Sequence, residues 1–216
     1  MTSAAATGEV AVPYFGTGKQ FEQAIAGIPE RWSSEAQGML EWVHKWLEAW
    51  NAHDLDELTT LIAEDLLWAD PVMIGQYVRG RDEFRRYVDT FWTGFPDITF
   101  EAIAPPFIGV ESMRMMVRWR MVGTLTGPLA WWGTRQGETP ATWAPTGRRA
   151  DITGCDIYEF RDGLLAEYTI LADFLSLSQQ LGLMPPTDSR VTGVMLRMQH
   201  LTAPIARRRA RKQQGA

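Results

Sequence analysis

From Ser34 to His53 apolar residues recur at helical spacing. Leu40, Val43, Leu47 and Trp50 form one stripe, which Met39, Trp42 and Trp46 widen. Ser33 or Ser34 can cap its start, and Asn51-Ala52-His53-Asp54 ends it. Asp54 is placed to cap a second helix, Leu55 to Ile62, with Leu55, Leu58 and Leu61/Ile62 on its apolar face. Two short strand-like runs follow, Leu66–Pro71 and Ile74–Val78. Gly80-Arg81-Asp82 then opens a third helix, Asp82 to Trp92, with Phe84, Tyr87, Val88 and Phe91 on one face, and Gly94-Phe95-Pro96-Asp97 stops it.

The second half reads as strands. Ile98–Ile108 is the first, with Pro105-Pro106 forcing a bend or an edge. Met113–Leu125 is the second. Arg149–Phe160 and Leu164–Asp173 are the third and fourth, joined by Arg161-Asp162-Gly163 as a hairpin in which Gly163 supplies a positive-φ position. Between the second and third lies Gly127–Gly147, rich in Gly and Pro yet holding Trp131, Trp132 and Trp143, a long loop expected to cover or extend a pocket wall. A short helix, Phe174–Leu181, ends at Gly182, and Ser189–Leu201 is a candidate last helix. Helices followed by a run of antiparallel strands make an α+β pattern. There is no βαβ alternation, Gly-rich phosphate loop or internal repeat, which argues against dinucleotide and P-loop nucleotide sites.

Residues 1–33 carry little pattern beyond a short helical run near Phe21–Ile28 and read as an N-terminal extension. The domain is expected over 34–184, with 127–147 inserted in it, and 185–216 as a C-terminal extension. Its tail, Arg207-Arg208-Arg209-Ala210-Arg211-Lys212, is expected to be a disordered, solvated end. The 216 residues carry 21 Lys+Arg against 26 Asp+Glu. Setting the five tail cations aside leaves an acidic body, which argues against a nucleic-acid-binding face. The single cysteine, Cys155, excludes an internal disulfide and any zinc site with two Cys ligands. His44, His53 and His200 fit no metal-ligand spacing, so no metal site is expected. No apolar run has the length of a membrane helix, and the N-terminus lacks the plan of a secretory signal, so a cytoplasmic location is expected. The unusual feature is tryptophan, ten in all. So many large aromatics suit a core and an apolar cavity for a flat organic ligand, with Trp50, Trp68, Tyr87, Phe91, Trp119, Trp131 and Trp132 as candidate substrate-binding residues.

The order of elements and several local strings resemble the SnoaL-like polyketide cyclase family of the nuclear-transport-factor-two-like superfamily. The strings are Trp50-Asn51-Ala52-His53-Asp54, Ala69-Asp70-Pro71, Gly80-Arg81-Asp82-Glu83-Phe84, Phe95-Pro96-Asp97-Ile98 and Gly123-Thr124-Leu125-Thr126-Gly127. They continue with Pro145-Thr146-Gly147-Arg148-Arg149, Asp162-Gly163-Leu164-Leu165-Ala166-Glu167, and Asp173 followed by Gln180-Leu181-Gly182. The resemblance covers about 38–184 and implies a curved antiparallel sheet wrapped around helices to make a cone-shaped pocket. It also implies that Asp173 is a general base that removes a proton between two carbonyls, so that the enolate closes a ring by intramolecular aldol attack without a cofactor. Leu125 stands where many members have His, and Thr169 where many have Trp.

The residues themselves leave more than one reading. A hairpin pairing Phe160 with Leu164 sets Cys155 opposite Thr169, Thr153 opposite Leu171 and Asp151 opposite Asp173. That face, with Ile157, Glu159, Leu165 and Glu167, is expected to line the pocket, so Cys155, Ile157 and Thr169 join the substrate-binding candidates. The opposite face, with Ile152, Tyr158, Tyr168 and Ile170, is expected to form a homodimer interface. Asp173 beside an apolar wall would have a raised pKa suited to a base, or it caps the helix from Phe174. Asp70 is the second candidate carboxylate, or a turn residue before Pro71. Asp156 is a paired or interface carboxylate, or a second acid beside Tyr158. Arg118 and Arg120 share one face, inward toward a catalytic Asp or outward to solvent. His53 reads as a helix-end residue. The leading function is acid–base catalysis on a bulky polyketide-like or polycyclic substrate, with aldol cyclisation first. Epoxide opening, isomerisation or dehydration in the same pocket, or a non-catalytic ligand-binding module, are the alternatives.

Overall fold

The computed structural model describes residues 30–70, 77–109, 114–130 and 142–214. Helix α1 (Glu30–Ala52) leads into the short α2 (Leu55–Thr60), β1 (Ile62–Ala69), β2 (Tyr77–Arg79) and α3 (Gly80–Gly94). Then come β3 (Thr99–Ala102), β4 (Phe107–Ile108), β5 (Arg114–Thr124), β6 (Leu129–Ala130) and β7 (Thr142–Trp143). The chain continues through β8 (Arg149–Arg161), β9 (Leu164–Ala172), α4 (Phe174–Gln180) and α5 (Arg190–Gln214). The main sheet runs β2-β1-β9-β8-β5-β3, with β4 also on β5. It is curved and unclosed, and it is mixed rather than purely antiparallel, because β1 runs parallel to β9. The Pro105-Pro106 bend splits the expected Ile98–Ile108 strand into β3 and β4, since proline cannot donate to a ladder.

Turn and cap chemistry explains the element ends. His53 takes a left-handed φ of 55° to leave α1, and the Asp54 carboxylate accepts from Glu57 N at 2.9 Å to start α2. Asp162 and Gly163 both have positive φ (54° and 77°), the demand of a two-residue hairpin turn. The hairpin therefore pairs Arg161 with Leu164, not Phe160 with Leu164 as expected. A bulge at Ala166 then moves the ladder one step further, so Ile157 faces Thr169 and Cys155 faces Leu171. The total offset of two keeps these four side chains together on one face.

The core lies in the hollow of the sheet. The α1 stripe presses into it, with Trp42 and Trp46 stacked at 4.9 Å between centroids and the Trp42 indole N–H donating to Leu61 O at 3.0 Å. Asn51 ties the end of α1 to β3 by donating to Phe100 O (2.8 Å) and accepting from Phe100 N (2.7 Å). Most of the expected 127–147 loop falls outside the described residues, Trp131 and Trp132 included; its ends pair as β6 and β7. The C-terminal tail differs from expectation. Residues through Gln214 are helical in α5.

Candidate active site

Between α1, α3 and the concave face of the sheet lies a cavity with an open mouth. Its wall is overwhelmingly aromatic and aliphatic. Trp50, Trp68, Tyr87, Phe91 and Trp119 line it, with Trp46 and Phe100 beside them. The sheet face that lines it carries Ile152, Asp156, Tyr158, Tyr168 and Ile170. That reverses the assignment of the two hairpin faces. Ile152, Tyr158 and Tyr168 are buried within the protomer, so they cannot form the homodimer interface expected of them. Cys155, Ile157 and Thr169 are on the outer face and do not line the cavity. The reason is the position of α1, whose tryptophan stripe covers the aromatic face of the hairpin and leaves the more polar face outside.

Asp173 lies just past β9 and is exposed. Its carboxylate accepts from Ser176 N at 2.9 Å and caps α4, while its neighbour Phe174 reaches the cavity wall. Trp143 stacks on Phe174 at 5.8 Å, so the β7 end of the inserted segment buttresses that wall. Arg120 binds Asp151 (2.6 Å) and Glu101 (3.3 Å) on the outer surface, and Arg118 is exposed there too, the outward alternative.

Two carboxylates do enter the cavity wall. Asp70, at the end of β1 and 7% exposed, accepts from the Tyr87 hydroxyl of α3. Asp156, in the middle of β8 and 5% exposed, accepts at Oδ2 from the Tyr168 hydroxyl across the hairpin and from Tyr158 at 3.2 Å. Its Oδ1 has no protein partner. Burial pushes the Asp156 carboxyl up to about 7. Tyr168, Trp119 and Tyr158 pull it back, and the negative charge of Asp70 adds to the rise. The Trp119 N–H favours the anion by proximity only, because it lies outside hydrogen-bond geometry and has no acceptor. Burial first, and then the adjacent carboxylates, hold the hydroxyls of Tyr87, Tyr158 and Tyr168 far above their ordinary range, so they stay neutral donors.

Trp119 reaches the cavity because its cross-strand partner is Gly154. A Cβ at 154 would lie 2.2 Å from Trp119 Cζ2. The tyrosine–carboxylate cluster was visible in sequence as Asp156, Tyr158 and Tyr168 on one strand face. What hid its role was the choice of which face turns inward.

Helices laid into the hollow of a curved, unclosed mixed sheet thus enclose an apolar cavity. The profile of the SnoaL-like domain matches residues 43–168, more than half of the chain. The protein belongs to the SnoaL-like family. Its fold is similar to that of TsrD from Streptomyces laurentii, at 21% identity over 68% of this chain and 97% of that one, with a TM-score of 0.53. It is also similar to a protein of Jannaschia sp. CCS1 described as a candidate SnoaL-like polyketide cyclase (18%, 69% and 94%, 0.54). AclR, described as a candidate hydroxylase of Streptomyces galilaeus, shares the fold as well (19%, 81% and 98%, 0.52). No curated protein matches it by sequence.

Proposed function

We propose that this SnoaL-like protein enolises a flat, largely apolar carbonyl compound, with Asp70 as the base and Asp156 as the proton donor, and that the enolate closes a ring by intramolecular aldol attack. The observation that carries the reading is the pair of buried carboxylates in one apolar wall. Burial pushes the Asp156 carboxyl up to about 7, which suits an acid at neutral pH, and Asp70 in the same wall is the base. Asp156 is the group pushed toward protonation, and its unpartnered Oδ1 is the atom free to serve a substrate oxygen. Tyr158 and Tyr168 occupy Oδ2 and orient the carboxyl.

In the first step Asp70 takes a proton from the carbon next to the substrate carbonyl, and the carbonyl oxygen becomes an enolate held by the Asp156 proton. In the second the enolate carbon bonds to a second carbonyl of the same molecule, whose oxygen takes up the proton that Asp70 removed, so that both carboxyls return to their starting states. The aromatic wall excludes water and grips the planar rings. The candidate cyclase among the similar structures supports ring closure as the outcome. The same first step, with the proton returned elsewhere, would be an isomerisation.

The test uses a polycyclic β-keto ester in D2O. The wild type should speed exchange of the acidic proton, followed by NMR, and both Asp70→Asn and Asp156→Asn should abolish that acceleration. Unchanged exchange in both variants overturns the assignment.

A further inference from the structure

At its start helix α5 is tied to the preceding segment by the Thr192 hydroxyl, which donates to Pro186 O at 2.7 Å. None of its described residues is buried. Val191, Val194, Met195, Met198 and Leu201 are 50–78% exposed. Their spacing of three and four residues aligns them as one stripe along the helix. Such a helix is poorly equipped to stand alone. It contains Thr192, Gly193, Val194, Thr202 and Pro204, all below average as helix formers, and no Asp or Glu that could make a supporting i,i+4 pair. A stripe of this kind calls for a cover.

Charge selects the cover. The 25 residues of α5 hold six arginines, one lysine and no acid. Removing those seven cations from the 21 of the whole chain leaves fourteen against 26 carboxylates, a net of −12 for the remainder. Two α5 helices side by side would set seven cations against seven. An anionic bilayer would attract α5 but repel the remainder, and the stripe has no aromatic residue to anchor at a lipid interface. The acidic body of a like molecule answers both needs. Exposed carboxylates line its helical layer at Glu41, Glu48, Asp54, Glu57 and Asp89.

We infer that the apolar stripe of α5 docks on the acidic body of a second copy of this chain, each protomer lending its helix to the other. The interaction is independent of the reaction in the cavity.

Sedimentation velocity of the full chain at low salt should show a dimer of twice 24.4 kDa that weakens as salt rises. The double variant Val194→Asp/Met198→Asp should be monomeric with an unchanged near-UV spectrum, because both side chains are more than half exposed in the protomer. A second variant, with Arg207, Arg208, Arg209 and Arg211 changed to Gln, leaves the stripe intact and should weaken the dimer at least tenfold. A photo-crosslinker at position 198 should join α5 to peptides of the partner outside 190–214. A wild-type monomer at tens of micromolar overturns the inference, as does a dimer that survives both variants. Crosslinks confined to α5, or flotation of monomers on phosphatidylglycerol vesicles, would overturn it equally.

Discussion

The Tyr168 hydroxyl donates to Oδ2 of Asp156 from the neighbouring strand of the hairpin, and both groups are sealed from solvent. A hydrogen bond to a carboxylate favours its ionised form. Tyr168→Phe should therefore raise the Asp156 pKa further. If Asp156 works as the proton donor, the alkaline limb of the pH–rate profile should move to higher pH, while Tyr158→Phe, at the longer distance, should move it less. Rate profiles of both variants on one substrate check the order.

Asp156 also ties stability to pH. Its folded pKa, about 7, lies above the ordinary aspartate value of 3.8, so the folded chain holds the proton more tightly than the unfolded one. The stabilisation is complete below about pH 4 and is lost as pH rises through about 7, at no more than about 1.4 kcal/mol per pH unit. Asp156→Asn, which carries no charge to bury, should flatten that slope and melt higher than wild type at pH 8. Urea titrations across pH 4–8 provide the measurement. The same variant should lose about 10²–10⁴-fold in rate, so stability and activity move in opposite directions.

Asp70→Asn should cost a comparable factor in rate, whereas Tyr87→Phe, which removes the hydroxyl that donates to Asp70, should cost less and leave KM nearly unchanged. Steady-state kinetics on purified variants separate the two.

Asp173 is exposed and caps α4. Asp173→Asn should keep both activity and melting temperature, since Asn caps about as well as Asp. Asp173→Ala should lose about 1 kcal/mol of stability with activity within a few-fold of wild type. A large rate loss in the Asn variant would return Asp173 to the mechanism.

Much of this architecture was legible in the chain. The α1 stripe, the Asp54 cap, the positive φ at Gly163 and the proline break each rest on local chemistry that a sequence displays directly. Membership of the SnoaL-like family was legible as well, because the strings that suggest it include structural joints, such as Asn51 on β3 and Asp97 on the Thr124 backbone. The site was legible only in part. Alternation along β8 and β9 separates two faces but does not say which one a helix will cover, and with aliphatic residues on both sides the polar aromatic face was mistaken for an interface. The bulge at Ala166 is equally silent in sequence, since an alanine between Leu165 and Glu167 looks like any strand residue. The parallel β1–β9 pair joins segments about a hundred residues apart, and no local pattern announces it.

Gly154 and Trp119 make the history of this cavity directional. Any side chain at 154 would meet the indole ring head-on, so a change there is tolerated only after Trp119 has become smaller. The reverse order is closed: a lineage that first acquired alanine at 154 could not afterwards acquire tryptophan at 119. Substitutions at these two positions are therefore epistatic, and a library that varies them one at a time would find Gly154 immutable. Varied together, with leucine or phenylalanine at 119, they form a concerted route to a wider cavity and a different ligand shape.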